Sequence, residues 1–242
     1  MITLFKKEIN QFFTSLTGNL IIIFFLLVNG LFIWGIEGDF NVLDSGYANM
    51  NSLFTLAPII FLIFIPAICM HMFSEEYQSG TIEFLFTNPI SSWNIVFSKY
   101  LAGNVLVLLA IVPTLIYFFS IYLLGETIGN IDLGGTLGSY IGLFLLSSAF
   151  IAIGIFSSAI SSNQLISFVI AIFCNTIFYY GFDLLSSIPF LQNINLFISN
   201  LGISNHYNMM SKGVIDTRDL IYFLSLCFIF LILSKTIIEL KR

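Results

Sequence analysis

Six apolar runs, each close to the length needed to cross a lipid bilayer, decide what this chain can fold into. They occupy residues 20–36, 53–73, 100–124, 137–160, 165–185 and 220–240. A helix needs about twenty apolar residues to span the hydrocarbon core. The composition agrees, since 58% of the 242 residues are hydrophobic and only 9% are charged, with a mean hydropathy of +0.99. Soluble domains carry about a quarter charged residues. The expected fold class is therefore an all-α polytopic membrane protein with six transmembrane helices, a single domain over residues 1–242 without repeat or linker. The net charge of −5 is thinly spread and there is no basic patch, which argues against a nucleic-acid partner. Cys69, Cys174 and Cys227 lie far apart inside apolar runs, so neither a disulfide framework nor a metal site is expected.

Residues 1–17 are too polar to span. They place Ile2, Phe5, Ile9, Phe12 and Phe13 on one helical stripe opposite Lys6, Lys7, Asn10 and Gln11, the pattern of an interfacial elbow helix. A signal peptide is the competing reading, but the next apolar run exceeds a signal core and no small-x-small site closes it. Threading six spans puts Lys6, Lys7, Lys99, Lys235, Lys241 and Arg242 on one side, with Lys212 and Arg218 on the other. Cytoplasmic ends of spans are enriched in lysine and arginine, so both termini are expected in the cytoplasm.

The stretch 74–99 is the longest polar interruption on that side. It carries Glu75, Glu76 and Glu83 among the thirteen acidic residues of the chain. Ile82, Leu85 and Phe86 recur at helical spacing, which predicts a short amphipathic helix. Pro89 stops it, and Ser91 or Ser92 can cap a new helix running through Trp93, Ile95 and Val96 into the third span. The pattern Glu76-x-x-x-Gly80-Thr81-Ile82-Glu83-x-Leu85, followed by Thr87-x-Pro89 and then Lys99, resembles the signature of ABC-2 type transporter permeases. Within that family the chain is most similar to the gliding-motility-associated subgroup.

The resemblance implies that 74–99 holds a coupling helix docking on a separate ABC ATPase subunit. Glu75, Glu76, Gly80, Thr81, Ile82, Glu83, Leu85, Thr87 and Pro89 would then be its partner-binding residues, with Ile82, Leu85 and Phe86 supplying most of the affinity. It also implies a second permease subunit, identical or different, a bacterial cytoplasmic (inner) membrane, and export. No cofactor is expected on the chain itself, because no glycine is followed by lysine and a phosphate loop is thereby ruled out. ATP with Mg2+ would be bound by the partner. Residues 186–219 are too broken for a span and too apolar for a free loop, and they resemble the family's outer re-entrant helices. The alternative is an amphipathic segment lying on the outer surface.

No catalytic residue is expected. Glu75-Glu76 suggests an intramembrane protease, but such enzymes need further partners within hydrogen-bond reach, and only His71 and His206 exist, near opposite faces. No His-Glu-x-x-His occurs. The polar residues inside the runs are Asn29, Asn104, Asn175 and Asp183, too few for an ion-coupled carrier. A membrane scaffold or immunity-type protein of the same fold stays open beside the transporter, with an ion-coupled carrier as a disfavoured third reading. Gly134, Gly138 and Gly142 form a small-x-x-x-small face for helix packing, or simply mark the start of the fourth span. Pro66 and Pro113 interrupt the two spans joined by 74–99 and are candidate hinges. The 28 phenylalanines suit contact with membrane lipids or a pathway for an amphipathic cargo.

Overall fold

Several helices begin here where a polar side chain takes over free backbone N–H groups of a first turn. In the computed structural model, which describes residues 1–87, 89–126 and 129–242, α1 (Ile2–Thr14) ends at Ser15. The extended backbone of Ser15 turns the chain, and its Oγ accepts from the Gly18 N–H to start α2 (Leu16–Gly30). A π turn, Leu31–Gly35, finishes that span, and α3 (Val42–Ser45) follows under an Asn41 cap. Next come α4 (Asn51–Cys69), the short α5 (Ser74–Gln78) and α6 (Ile82–Thr87), and α7 (Ser92–Ile111), which Ser91 caps. A 3-10 turn, Val112–Thr114, leads into α8 (Leu115–Leu124). Asp132 caps α9 (Leu133–Ile160), and Asn163 caps α10 (Gln164–Thr176). A π turn, Ile177–Gly181, then passes to α11 (Phe182–Ser186). After a 3-10 stretch, Pro189–Ile194, come α12 (Asn195–Ser199) and α13 (Ile203–Met210), and Asp216 caps α14 (Thr217–Leu240).

The fold is all-helical, with no strand among the described residues. Among the described residues, six helical stretches are long and apolar enough to cross a membrane: Gly18–Gly35, Asn51–Gln78, Ser92–Leu124, Leu133–Ile160, Gln164–Ser186 and Thr217–Leu240. The third starts earlier than its apolar run because the Ser91 cap fuses the amphipathic turns around Trp93 to the span. The residue before Pro89, part of the expected break, lies outside the described residues.

Helix α9 is the axis of the bundle. It packs against α4, α7, α10, α13 and α14, and nearly all of its length from Leu146 to Ala159 is buried. Small residues make this possible. A Cβ on Gly154 would stand 2.7 Å from the Cys69 Sγ of α4, and one on Gly142 would stand 2.6 Å from the Met210 Cβ of α13. At Gly138 the neighbour is the Gly213 carbonyl oxygen, 2.7 Å away. Gly134 differs, since its added Cβ would meet only Asp132 of its own cap, at 3.6 Å. The close approach therefore runs through Gly138 and Gly142.

Two details depart from the sequence expectations. On α1 the inward face carries Leu4, which is buried, while Ile2 is 71% exposed and Phe13 is also exposed. The stripe is rotated because α1 packs on α7 and α2, which draws Leu4 and Glu8 inward. The prolines also separate: Pro66 lies inside an unbroken α4, whose Met70 N–H reaches the Pro66 carbonyl at 2.9 Å. Pro113 coincides with the 3-10 turn that parts α7 from α8. A hinge geometry is thus present at Pro113 alone of the two.

Candidate functional site

The lever of residues 74–87 hangs from α4 at one end of the bundle, and a neighbouring helix sets its start. Its first backbone N–H groups need acceptors, and Ser158 of α9 supplies one: Phe73 and Ser74 N–H donate to Ser158 Oγ at 2.9 and 3.1 Å. Ser74 Oγ donates back to the Ser158 carbonyl at 3.2 Å. The α5 helix is therefore capped from another element. At Gly80, φ is +73°, a left-handed conformation that side chains disfavour, and this residue turns the chain between α5 and α6.

Glu76 occupies the centre of this arrangement and is only 5% exposed. Its Oε1 lies 2.6 Å from Lys7 Nζ on α1, and its Oε2 lies 3.0 Å from Lys99 Nζ on α7. Lys99 is fully buried. It also pairs with Glu8 of α1 at 2.8 Å, donates to the Met72 carbonyl and sits 4.8 Å from the Phe73 ring centroid. Two ammonium groups face two carboxylates, so the cluster is neutral while tying α1, α5 and α7 together. A buried pair of this kind is worth little against an apolar replacement, but losing one partner strands the others at about 3–5 kcal/mol. The cluster is a positional lock. Glu76, expected to meet an external partner, has its carboxylate facing Lys7 and Lys99 of this chain.

The apolar face of α6 is likewise turned inward. Ile82 is 6% exposed, and Leu85 and Phe86 are half-buried against the core. A short amphipathic helix presents its apolar side to the nearest core, which here is its own. What remains uncovered is Gly80, Thr81, Glu83, Phe84, Thr87 and Pro89, with Phe84 72% exposed. Phe84 falls between the apolar positions of the periodic pattern, and sequence reasoning missed it for that reason. Glu75 is partly exposed and lies 3.4 Å from His71 across one helical turn. Beside α6 runs a groove lined by Tyr77, Ile82, Glu83, Phe86, Lys241 and Arg242. Lys241 Nζ caps the carbonyls of Ala159 and Ile160 at 2.7 and 2.8 Å, and Arg242 donates to the Phe86 carbonyl at 3.0 Å.

A six-span bundle with a lever between its second and third spans is now in place. A family model described as ABC-2 family transporter protein matches residues 2–238. The chain belongs to the ABC-2 transporter family. No curated protein matches it. As an ABC-2 family member it is a multi-pass membrane protein of the permease kind, and the match covers lever and spans alike. The opposite end of this ABC-2 permease is built by α13, whose Tyr207 is buried and donates to the Phe54 carbonyl of α4 at 2.6 Å. Along the interior, polar contacts are sparse, and Ser148 Oγ to Asn104 Oδ1 at 2.5 Å joins α9 to α7. Glu76, Lys99 and Asp219 are the buried charges among the described residues, each near one end of its helical stretch. All three cysteines are free, and no group of metal-binding residues occurs among the described residues.

Proposed function

We propose that this chain is the permease subunit of an ATP-driven ABC-2 exporter, and that residues 79–89 of its lever dock on a separate ATPase subunit that binds ATP and Mg2+. The observation that carries this reading is the division of the lever into a locked face and an open one. Glu76 fixes one face to α1 and α7, while Gly80, Thr81, Glu83, Phe84 and Thr87 stay uncovered on the other. A push on the open face then moves α1, α4 and α7 as a unit. Phe84 is the apolar anchor of the contact and Glu83 a steering charge, since buried aromatics dominate interface energies and rim charges add little.

In this reading the lever end, where Lys7, Lys99, Lys241 and Arg242 gather, faces the cytoplasm of a bacterial inner membrane, following the enrichment of basic residues on that side. Helix α1 serves as the elbow and α12 with α13 as the outer segment. A second permease subunit, of the same or a different kind, completes the pathway. The apolar interior suits an amphipathic cargo, and the subgroup resemblance links it to surface movement.

The test is a nanodisc pull-down of the tagged chain, with Phe84→Ala/Glu83→Lys in parallel and bound proteins identified by mass spectrometry. The native chain should retain a P-loop ATPase whose hydrolysis depends on it, and the variant should lose that ATPase at unchanged thermal stability. A well-folded native chain that brings down no ATPase would overturn the reading.

A further inference from the structure

At the bundle end remote from the lever, one histidine joins three elements. His206 on α13 places Nδ1 2.6 Å from Asp219 Oδ1 on α14 and Nε2 2.9 Å from the Asn200 carbonyl oxygen, which follows α12. Its ring lies flat on Tyr222 of α14, with centroids 3.9 Å apart. The hydroxyl of Tyr222 donates to the Leu201 carbonyl at 2.7 Å, so the same short stretch is held twice.

The chemistry of the partners fixes the number of protons. A backbone carbonyl only accepts, and an ionised carboxylate only accepts. A neutral imidazole has one N–H to give, so beside an ionised Asp219 it leaves one ring nitrogen's lone pair against an oxygen at hydrogen-bond distance. Both contacts are satisfied only when the pair holds one proton more. That proton can sit on the ring, as imidazolium against carboxylate, or on Asp219, donating to Nδ1 while Nε2–H donates to Asn200. The count is the same in both, so the proton belongs to the pair.

We infer that His206 and Asp219 form a proton-operated clasp, in which one shared proton ties the Asn200 turn through His206 to α14 and its loss loosens that turn. The clasp stands on this geometry alone and does not depend on the coupling proposed above. Because the closed form holds one proton more than the open one, it is favoured at low pH and weakened as pH rises. One proton gives a limiting slope of about tenfold in the closed-to-open ratio per pH unit.

The surrounding groups do not supply a competing switch. Asp183 on α11 accepts from Ser204 Oγ, Tyr179 lies in the π turn that packs on α13, and Tyr207 is engaged with Phe54. Helix α9 carries no Lys, Arg, His, Asp or Glu over Leu133–Ile160 and contributes only Tyr140 as a titratable group. Lys212 follows α13, and Arg218 and Asp216 flank the start of α14. The Arg218 backbone N–H holds the Asp216 carboxyl below its usual range, so Asp216 stays ionised while the clasp titrates.

The test uses the full chain in nanodiscs. With two histidines in the sequence, His71→Gln leaves His206 to be read by 15N NMR of histidine-labelled protein, while hydrogen exchange follows the segment Asn195–Gly202 across the same pH range. After correction for the intrinsic exchange rate, that segment should lose protection by up to about tenfold per pH unit as the pair's proton leaves, with α9 unchanged. In Asp219→Asn the amide can donate to a neutral Nδ1 while Nε2–H donates to Asn200, so protection should persist and lose its pH dependence. His206→Phe keeps the ring stack and should exchange fast at every pH. The clasp is refuted if protection of the segment does not change across the pH range, or if the segment tracks α9 at every pH. It is equally refuted if Asp219→Asn keeps the native slope. The unmutated titration decides by itself should the His206 or Asp219 variants fail to fold.

Discussion

Where α5 meets α1 and α7 the contacts are charges, and where α13 meets α9 they are bare glycine surfaces. Lys7, Glu8, Glu76 and Lys99 hold the lever end through directional pairs of 2.6 to 3.0 Å. Gly138 and Gly142 hold the far end by letting Gly213 and Met210 come within Cβ distance of the α9 backbone. Charges tolerate small shifts in distance but not the loss of a partner. Packed backbone tolerates neither added volume nor displacement, whatever the chemistry. The lever end is thus a joint that can be loaded without coming apart, and the far end is a fitted seat.

The sharpest way to break this contrast is at Lys99. Lys99→Met leaves Glu8 and Glu76 buried without their shared cation and should cost about 3–5 kcal/mol, seen as a large fall in unfolding midpoint in mixed micelles. Lys99→Met combined with Glu8→Gln and Glu76→Gln should recover most of that loss, whereas an unimproved triple variant would show that packing, not charge, holds this end. Next in size is Gly142→Leu. Its added volume meets Met210 and should cost about 1–3 kcal/mol, with faster hydrogen exchange confined to α13; a spread of that effect to α5 would erase the distinction between the ends. Ser158→Ala removes the acceptor for Phe73 and Ser74 and should cost about 1 kcal/mol, read as deprotection of α5 with α13 unaffected.

The smallest effect belongs to Lys7, half exposed at the rim of the cluster. Partial burial opposes its charge, but the hydrogen bond to Glu76 and the nearby carboxylates hold its pKa above the ordinary value of 10.5. A raised folded-state value means the contribution is complete below 10.5 and fades only as pH rises through the folded value. Lys7→Met should therefore differ from the native chain most at neutral pH and converge with it in strong alkali, measured as unfolding midpoints against pH.

Much of the fold was legible because the length of an apolar run limits a membrane helix without any knowledge of which face is buried. The Ser91 cap and the broken character of residues 186–219 were equally readable, since both are local. Facing was not. Ile82, Leu85 and Phe86 announce an apolar stripe, but periodicity is silent on whether a partner or the chain's own core will cover it, and the core does. The pairing of Glu76 was hidden for a related reason. Its partner Lys7 is 69 residues away, and the Lys99–Glu8 pair spans 91. Nothing in a local pattern of charge reveals such neutralisation. Glu8, the acidic residue set among lysines in α1, was the available hint.

The order of synthesis gives the ion cluster a further consequence. Glu8 and Glu76 leave the ribosome before Lys99, with the first two spans already made. Until the third span arrives, this chain holds two carboxylates at the mouth of the bundle against Lys7 alone, and they must stay in water because their desolvation is not yet compensated. Insertion of α7 delivers Lys99 and lets α1 and α5 close on it. The residue that completes the lock is thus also the last of the four to be made.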